Sequence, residues 1–229
     1  MNINNRCVAL VYRVCAFLLG MCTLVYDFGI FSGEFKGINL FYFTILSNLG
    51  CMCLFLALII KTIFEIKSCG IYGSSSVSPH IKGGIMICIL LTMTVYHFIL
   101  IPYALKVNPY QSLGVTDVIF HYVIPFLTLF DWILFDEKKS FSWYDPILWT
   151  VLPYLYIIFV FIQSRFDIVD RISANMNRYI YAFLDIGLLG SVKVLFNIFL
   201  LTVAFVIVGY CLVILDCIKL NISNDKKKI

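Results

Sequence analysis

Long runs of apolar residues recur along the chain, separated by shorter polar stretches. Six of these runs have about the 20 residues that a helix needs to cross the hydrocarbon core of a bilayer. They are residues 8–26, 40–60, 85–103, 118–135, 147–163 and 194–215. Because apolar residues are continuous in these runs and do not alternate with polar ones, the runs predict helices and not strands of a membrane barrel. The pattern therefore predicts an all-α polytopic membrane protein, with residues 1–229 forming a single bundle of six transmembrane helices.

The composition agrees with this class. The chain is 62% hydrophobic and 13% charged, whereas a soluble domain has about 25% charged residues. So few charges would not cover the surface of a soluble globule of this size. The net charge of +4 is small and the basic residues are scattered, so nucleic acid is not an expected partner. The expected partners are membrane lipids, and the sequence leaves the oligomeric state open.

The distribution of Lys and Arg predicts an orientation. Six spans place both termini on one side of the membrane, and that side carries eleven of the 17 basic residues. Since cytoplasmic segments are enriched in Lys and Arg, we expect both termini in the cytoplasm. In a prokaryote the membrane would be the plasma membrane, and in a eukaryote the endoplasmic reticulum or the plasma membrane. The eleven residues are Arg6, Arg13, Lys61, Lys67, Lys82, Lys138, Lys139, Lys219, Lys226, Lys227 and Lys228.

Charged and polar segments near the span ends give three further expectations. Arg13 lies near the start of the first span, where a long side chain can snorkel to the interface. Residues 61–84 contain a Gly- and Ser-rich stretch and are expected to form a flexible connector. Residues 164–193, on the outer side, are amphipathic around 167–172 and rich in aromatic residues over 178–185. This loop predicts an interfacial segment or a lid on the bundle, and a helix end resting among the lipid headgroups remains equally open.

The sequence favours neither a metal nor a cofactor. Most of the nine Cys residues lie inside spans, where a thiol behaves as a small apolar group, and no Cys spacing in a loop is typical of zinc. The glycine-rich phosphate loops, the zinc-binding His pair and the serine nucleophile elbow are all missing. A nucleotide-driven pump, a dinucleotide oxidoreductase and a standard serine hydrolase therefore lose support.

Polar residues inside the spans are the remaining candidates for function, because burying them in lipid is costly. Counted from the span ends, Thr44, His97 and His121 share a layer in the outer third of the bundle. Thr44 also shares one helical face with Ser47 and Asn48, at spacings of three and four residues.

This polar layer has two interpretations. In the first, the polar side chains only connect neighbouring helices by hydrogen bonds. In the second, a Thr hydroxyl acts as a nucleophile beside a His that serves as its base. A substrate at this depth would arrive from the bilayer, which favours a lipid ester. A non-catalytic lipid-binding protein, a transporter or a sensor remains the alternative.

Several segments resemble one known family. Residues 42–48, Tyr-Phe-Thr-Ile-Leu-Ser-Asn, resemble a second-span motif of the androgen-induced/androgen-dependent (TFPI-regulating protein-like) membrane proteins and their prokaryotic six-span relatives. Residues 121–132 resemble the fourth-span motif of that family, residues 149–156 its fifth span and residues 179–185 the outer loop before its last span. The segments occur in the same order, with the same number of spans.

The resemblance implies a function. Animal members of that family are transmembrane threonine hydrolases that cleave fatty acid esters of hydroxy fatty acids. It implies Thr44 as the nucleophile and His121 as the base, without a cofactor. Asn48 and Asp185 are the candidates for orienting His121. The further supporting or pocket residues are Ser47, His97 and Asp131, the last lying about 15 Å along the helix from His121.

Overall fold

The computed structural model describes residues 3–107, 113–166, 168 and 178–218. The secondary-structure elements in these residues are helices, and six of them are long and apolar enough to cross a membrane. The prediction of an all-α membrane protein with six spanning helices is confirmed. The helices are α1 (Arg6–Asp27), α2 (Phe43–Cys69), α3 (Pro79–Lys106), α4 (Val115–Phe135), α5 (Asp145–Arg165) and α6 (Ser191–Cys217).

Several helices extend beyond the apolar runs that predicted them. Helix α2 continues to Cys69, and α3 already begins at Pro79, where the fixed φ of proline suits the first turn of a helix. The flexible connector expected over 61–84 is therefore reduced to residues 70–78. Ahead of α2, a 3₁₀-helix over Gly37–Phe41 replaces the start that was expected at residue 40.

Three of the helices are interrupted. Helix α3 contains a π-helical segment over Tyr96–Leu100 and α4 contains another over Ile119–Val123. Each segment ends two residues before a proline, Pro102 or Pro125. Since proline has no N–H and its ring clashes with the carbonyl four residues earlier, a wider turn at this place relieves the clash. Helix α5 is broken at Thr150, between Asp145–Trp149 and Val151–Arg165.

Helix α3 occupies the centre of the packing and contacts α2, α4, α5 and α6. Its approach to α5 depends on Gly83, where a Cβ atom would lie 2.2 Å from the Trp149 ring. The Trp149 indole N–H donates a hydrogen bond of 2.8 Å to the backbone oxygen of His80. Glycine at position 83 therefore allows the start of α5 to lie directly against α3.

The aromatic segment 178–185 packs on the bundle. Tyr181 and Leu184 are buried, in one apolar cluster with Val160 of α5 and Val194 of α6. A 3₁₀-helix over Ala182–Leu184 and a short helix over Ile186–Leu189 lead into α6. This arrangement is that of a lid on the bundle. The amphipathic part expected over 167–172 lies, apart from Ile168, outside the described residues.

Candidate functional site

Thr44 and His121 meet at the ends of two different helices. Thr44 is in the first turn of α2 and His121 lies in the π-helical segment of α4, and Thr44 Oγ1 is 3.2 Å from His121 Nε2. The other ring nitrogen, Nδ1, is 2.9 Å from the backbone oxygen of Asp117. Because a carbonyl oxygen only accepts, Nδ1 carries a ring hydrogen, and in the neutral imidazole Nε2 then presents its lone pair. The Thr44 hydroxyl therefore donates to Nε2, the arrangement of a nucleophile and its base.

The imidazole ring is fixed on its face as well as at its edge. Tyr96 of α3 stacks on His121 with 3.6 Å between ring centroids and an angle of 10° between ring planes. His121 is buried. The group that orients the ring is the backbone carbonyl of Asp117, whereas the sequence offered the side chains of Asn48 and Asp185. The sequence could not identify this group, since every residue has a backbone carbonyl.

Ser47 and Asn48 hold the first turn of α2 in place. Asn48 Nδ2 donates to the backbone oxygen of Thr44 at 2.8 Å and lies 3.4 Å from that of Phe120. Ser47 Oγ donates to the same Thr44 oxygen at 3.0 Å and lies 2.8 Å from the hydroxyl of Thr92 on α3. The two side chains therefore connect the turn that carries Thr44 to both α3 and α4.

The other residues singled out from the sequence lie elsewhere. His97 is exposed, and its Nδ1 is 3.0 Å from the hydroxyl of Tyr122, the residue next to His121. The Asp185 side chain caps the short helix Ile186–Leu189 by accepting from the Leu188 N–H. Asp131 faces neither Thr44 nor His121 and belongs to a separate group of charges.

We call that group the charged cluster: Arg13, Lys82, Asp131 and Asp136. Arg13 Nε donates to Asp131 at 2.8 Å, and Lys82 Nζ donates both to Asp131 and, at 2.7 Å, to Asp136. Arg13, Lys82 and Asp131 are fully buried. The expectations that Arg13 snorkels and that Lys82 lies in a flexible connector are therefore wrong, because each cation has a buried carboxylate partner on another part of the chain.

Tyr181 is a site residue that the sequence did not single out. It is buried, its ring meets that of Tyr42 edge-on with 6.1 Å between centroids, and it lines the same apolar cavity as Thr44. Burial raises the pKa of Tyr181 to about 12. The phenol is therefore protonated at neutral pH and able to donate. The aromatic density of residues 178–185 was visible in the sequence, but nothing distinguished this tyrosine from Tyr179.

An apolar cavity begins at Thr44. It has a volume of about 70 Å³ between α2, α3, α5, α6 and the 178–185 segment, and its wall is mostly aliphatic and aromatic. A second space of about 520 Å³ lies beside it, and Phe43 and Tyr156 line both. Leu46 and Leu155 of this second space are exposed on the helix surfaces. The cavity that contains Thr44 therefore borders a groove that opens toward the apolar exterior of the bundle.

Within the described residues, no three His, Cys, Asp or Glu side chains are grouped so as to hold a metal ion. Comparison of the chain with protein-family models, with curated proteins and with solved structures finds no match. The family resemblance stated from the sequence motifs accordingly stays a prediction.

Proposed function

We propose that this protein is an integral membrane hydrolase of lipid esters, with Thr44 as the nucleophile and His121 as the base. The observation that carries the proposal is the 3.2 Å contact of Thr44 Oγ1 with Nε2 of His121, in the wall of an apolar cavity. The resemblance to transmembrane threonine hydrolases supports the same two residues. It also supports a fatty acid ester of a hydroxy fatty acid as the substrate.

The chemistry proceeds in two halves. Thr44 Oγ1 forms a bond to the ester carbonyl carbon while its proton passes to His121 Nε2, and the carbonyl electrons move onto the oxygen. When this adduct collapses, the alcohol leaves and takes the proton from His121. Water, deprotonated by His121, then attacks the acyl-threonine, which releases the fatty acid and restores the Thr44 hydroxyl.

The apolar surroundings suit a lipid substrate. The cavity at Thr44 is small, about 70 Å³, but the neighbouring groove of about 520 Å³ lies in the range of ligand pockets. An acyl chain in that groove would lie close to Thr44, since Phe43 and Ser47 line the groove. The neighbouring groove offers a path from the bilayer to the nucleophile that avoids bulk water.

Covalent labelling tests the proposal directly. A fluorophosphonate probe reacts with an activated hydroxyl, so the purified protein in detergent should be labelled once, on the peptide that contains Thr44. Thr44→Ala and His121→Ala should each lower labelling and ester hydrolysis by at least about a thousandfold, as losses of nucleophile or base do in other hydrolases. Mass spectrometry of the labelled peptide identifies the site.

Thr128→Ala is the matched control. Thr128 is a buried threonine on α4 whose hydroxyl bonds the backbone oxygen of Ile124 at 2.9 Å. It should keep wild-type labelling. Wild-type labelling of Thr44→Ala would overturn the proposal, and acyl-chain binding without turnover by the wild type would favour the lipid-binding alternative.

We also propose that both termini lie in the cytoplasm, so that Thr44 is near the outer surface. The excess of Lys and Arg on the terminal side supports this orientation. Reporter fusions at each terminus test it: a reporter active only in the cytoplasm should work at both ends, and activity of an export-dependent reporter at either end would contradict it. Localising the fusions also identifies the membrane.

A further inference from the structure

The groove beside the candidate catalytic pair lies between two helices that both pack on a third. Its walls are α2 and α5, and Ile85 and Cys88 of α3 form its floor. Leu46, Leu152 and Leu155 line the groove and are exposed on the helix surfaces. The groove is therefore open on the side of the bundle that faces the bilayer.

The groove runs along the two helices, away from the catalytic pair. Phe43 and Phe159 line its end nearest Thr44, whereas Gly50 and Leu152 line the opposite end. On each wall the two ends are seven residues apart in the sequence, which corresponds to about 10 Å of helix. The groove begins in the first turn of a spanning helix, and the hydrocarbon core is about 30 Å thick. The groove therefore lies within the depth of one leaflet.

The groove is apolar, and its two hydroxyl groups are already engaged in hydrogen bonds. None of the described residues that line it is charged. The Ser47 hydroxyl donates to the backbone oxygen of Thr44 at 3.0 Å, and the Tyr156 hydroxyl donates to that of Phe41 at 2.8 Å. A polar group buried here without a partner would be costly. The groove therefore suits an unsubstituted hydrocarbon chain and excludes a lipid headgroup.

The groove and the Thr44 cavity share a wall. The rings of Phe43 and Tyr156, with 5.0 Å between their centroids, line both spaces. Phe43 directly precedes Thr44 in the first turn of α2. A chain that lies in the groove with its ester group at this wall would bring its carbonyl to the nucleophile, and its terminal methyl group would point toward Gly50.

Gly50 keeps the far end of the groove open. A Cβ atom at this position would lie 3.8 Å from Ile85 Cγ2, an ordinary van der Waals distance, so a larger side chain would extend into the groove without striking a neighbouring backbone. A chain that arrives from the bilayer exchanges one apolar environment for another, so its burial contributes little. Discrimination between chains must then come from steric fit.

We propose that the groove binds the acyl chain of the ester and that Gly50 sets the chain length that the protein accepts. This assignment rests on the proposed hydrolase function. It names the part of the substrate that is selected, an unsubstituted acyl chain, and the residue that selects it.

Gly50→Leu tests the assignment with p-nitrophenyl butyrate, octanoate, laurate and palmitate. Because the leucine fills the far end, kcat/KM for laurate should fall at least about tenfold, whereas kcat/KM for butyrate should stay within about twofold of the wild-type value. Cys53→Leu is the matched control, since Cys53 is exposed on the same helix and does not line the groove. It should keep the wild-type profile. If Gly50→Leu does not fold, Gly50→Ala decides: the laurate-to-butyrate ratio of kcat/KM should fall about threefold, and an unchanged ratio would overturn the role of Gly50.

A photoreactive probe tests the position of the chain without turnover. The probe is a non-hydrolysable amide analogue of the laurate ester with a diazirine on the last carbon of the acyl chain. It should cross-link to the α2 and α5 peptides that contain Gly50 and Leu152. The unlabelled laurate amide should displace it and the butyrate amide should not. Gly50→Leu should lower this labelling at least about fivefold, and Cys53→Leu should not change it.

The outcomes separate this inference from the proposed function. If the wild type hydrolyses esters but Gly50→Leu changes laurate and butyrate hydrolysis equally, the role of Gly50 is overturned and the Thr44–His121 pair stands. If the wild type hydrolyses no ester, while the probe labels the far end and is displaced by the laurate amide, the hydrolase proposal falls and the groove stands as an acyl-chain site. Labelling that is spread over the exposed surface and is not displaced overturns the groove assignment in either case.

Discussion

Helix α4 carries two polar regions of different character. Near its start His121 meets Thr44, and the two side chains are in hydrogen-bond contact at the edge of a cavity. Near its end Asp131 meets Arg13 and Lys82, and these side chains form fully buried ion pairs. In the charged cluster two cations face two carboxylates, so the charges are internally compensated. At the Thr44 site the polar atoms face a space that a ligand can enter.

This difference indicates which region holds the bundle together and which performs chemistry. Removing one partner of a buried ion pair is strongly destabilising, because the other charge is then left buried without compensation. The charged cluster joins α1, α3 and α4, so its loss should affect folding. The Thr44 site contains few strong interactions, so its loss should affect turnover while the fold persists.

Asp131→Ala should have the largest effect on stability. It leaves Arg13 and Lys82 buried without their shared carboxylate, which should lower the free energy of unfolding in detergent by about 3–5 kcal/mol. Thermal unfolding followed by circular dichroism measures this, and turnover per folded molecule should stay near the wild-type value.

Two variants sharpen that result. Glu137→Ala removes an exposed carboxylate one residue after the cluster and should change stability by less than about 0.5 kcal/mol. The double variant Arg13→Met with Asp131→Leu removes an opposite pair and should recover most of the loss. If Asp131→Ala lowers the free energy of unfolding by less than about 1 kcal/mol, the contrast between the two regions is contradicted.

Thr44→Ser should have an intermediate effect, and only on activity. Serine keeps the hydroxyl but lacks the methyl group that restricts its rotamers, so the hydroxyl points at His121 for less of the time. We expect kcat to fall about tenfold, or about 1.4 kcal/mol in the activation barrier. Steady-state kinetics give this value, and an unchanged unfolding temperature would show that the fold is intact. Complete loss of activity with intact folding would argue against a hydroxyl nucleophile.

His97→Ala should have the smallest effect. His97 shares the predicted depth of Thr44 and His121 but is exposed and contacts Tyr122 instead. Stability should change by less than about 0.5 kcal/mol, and ester hydrolysis should be within about twofold of the wild-type rate. The same kinetic and thermal measurements apply. A hundredfold loss of turnover would contradict this expectation and show that His97 takes part in catalysis.

The contrast also explains what could be predicted from the sequence. The six helices follow from apolar runs, since each run carries its own length and continuity. Thr44 and His121 could be identified by counting residues from the ends of two predicted spans, because the rise per residue of a helix converts sequence position into depth in the membrane. Depth alone did not distinguish His97 from His121. The direction in which each side chain points also depends on the rotation of its helix about its own axis, and packing against the neighbouring helices sets that rotation.

The charged cluster was not predicted, for a related physical reason. Arg13 and Lys82 each lie near the end of a helix, where an unpaired cation would be expected to reach water. Only the packing of α1 and α3 against α4 reveals that Asp131 lies between them. The place of Tyr181 in the wall of the cavity at Thr44 was hidden in the same way, since the two residues are more than a hundred positions apart in the sequence.

The π-helical segment Ile119–Val123 has one further consequence for α4. A π-helical turn contains one residue more than an α-helical turn, so the segment acts as a single-residue insertion that is absorbed within a continuous helix. One residue corresponds to about 100° of rotation about the helix axis. The segment therefore sets the angular phase between His121 and Asp131. Deleting one residue from it would restore a regular α-helical turn. In that helix either His121 can face Thr44 or Asp131 can face Arg13, but not both.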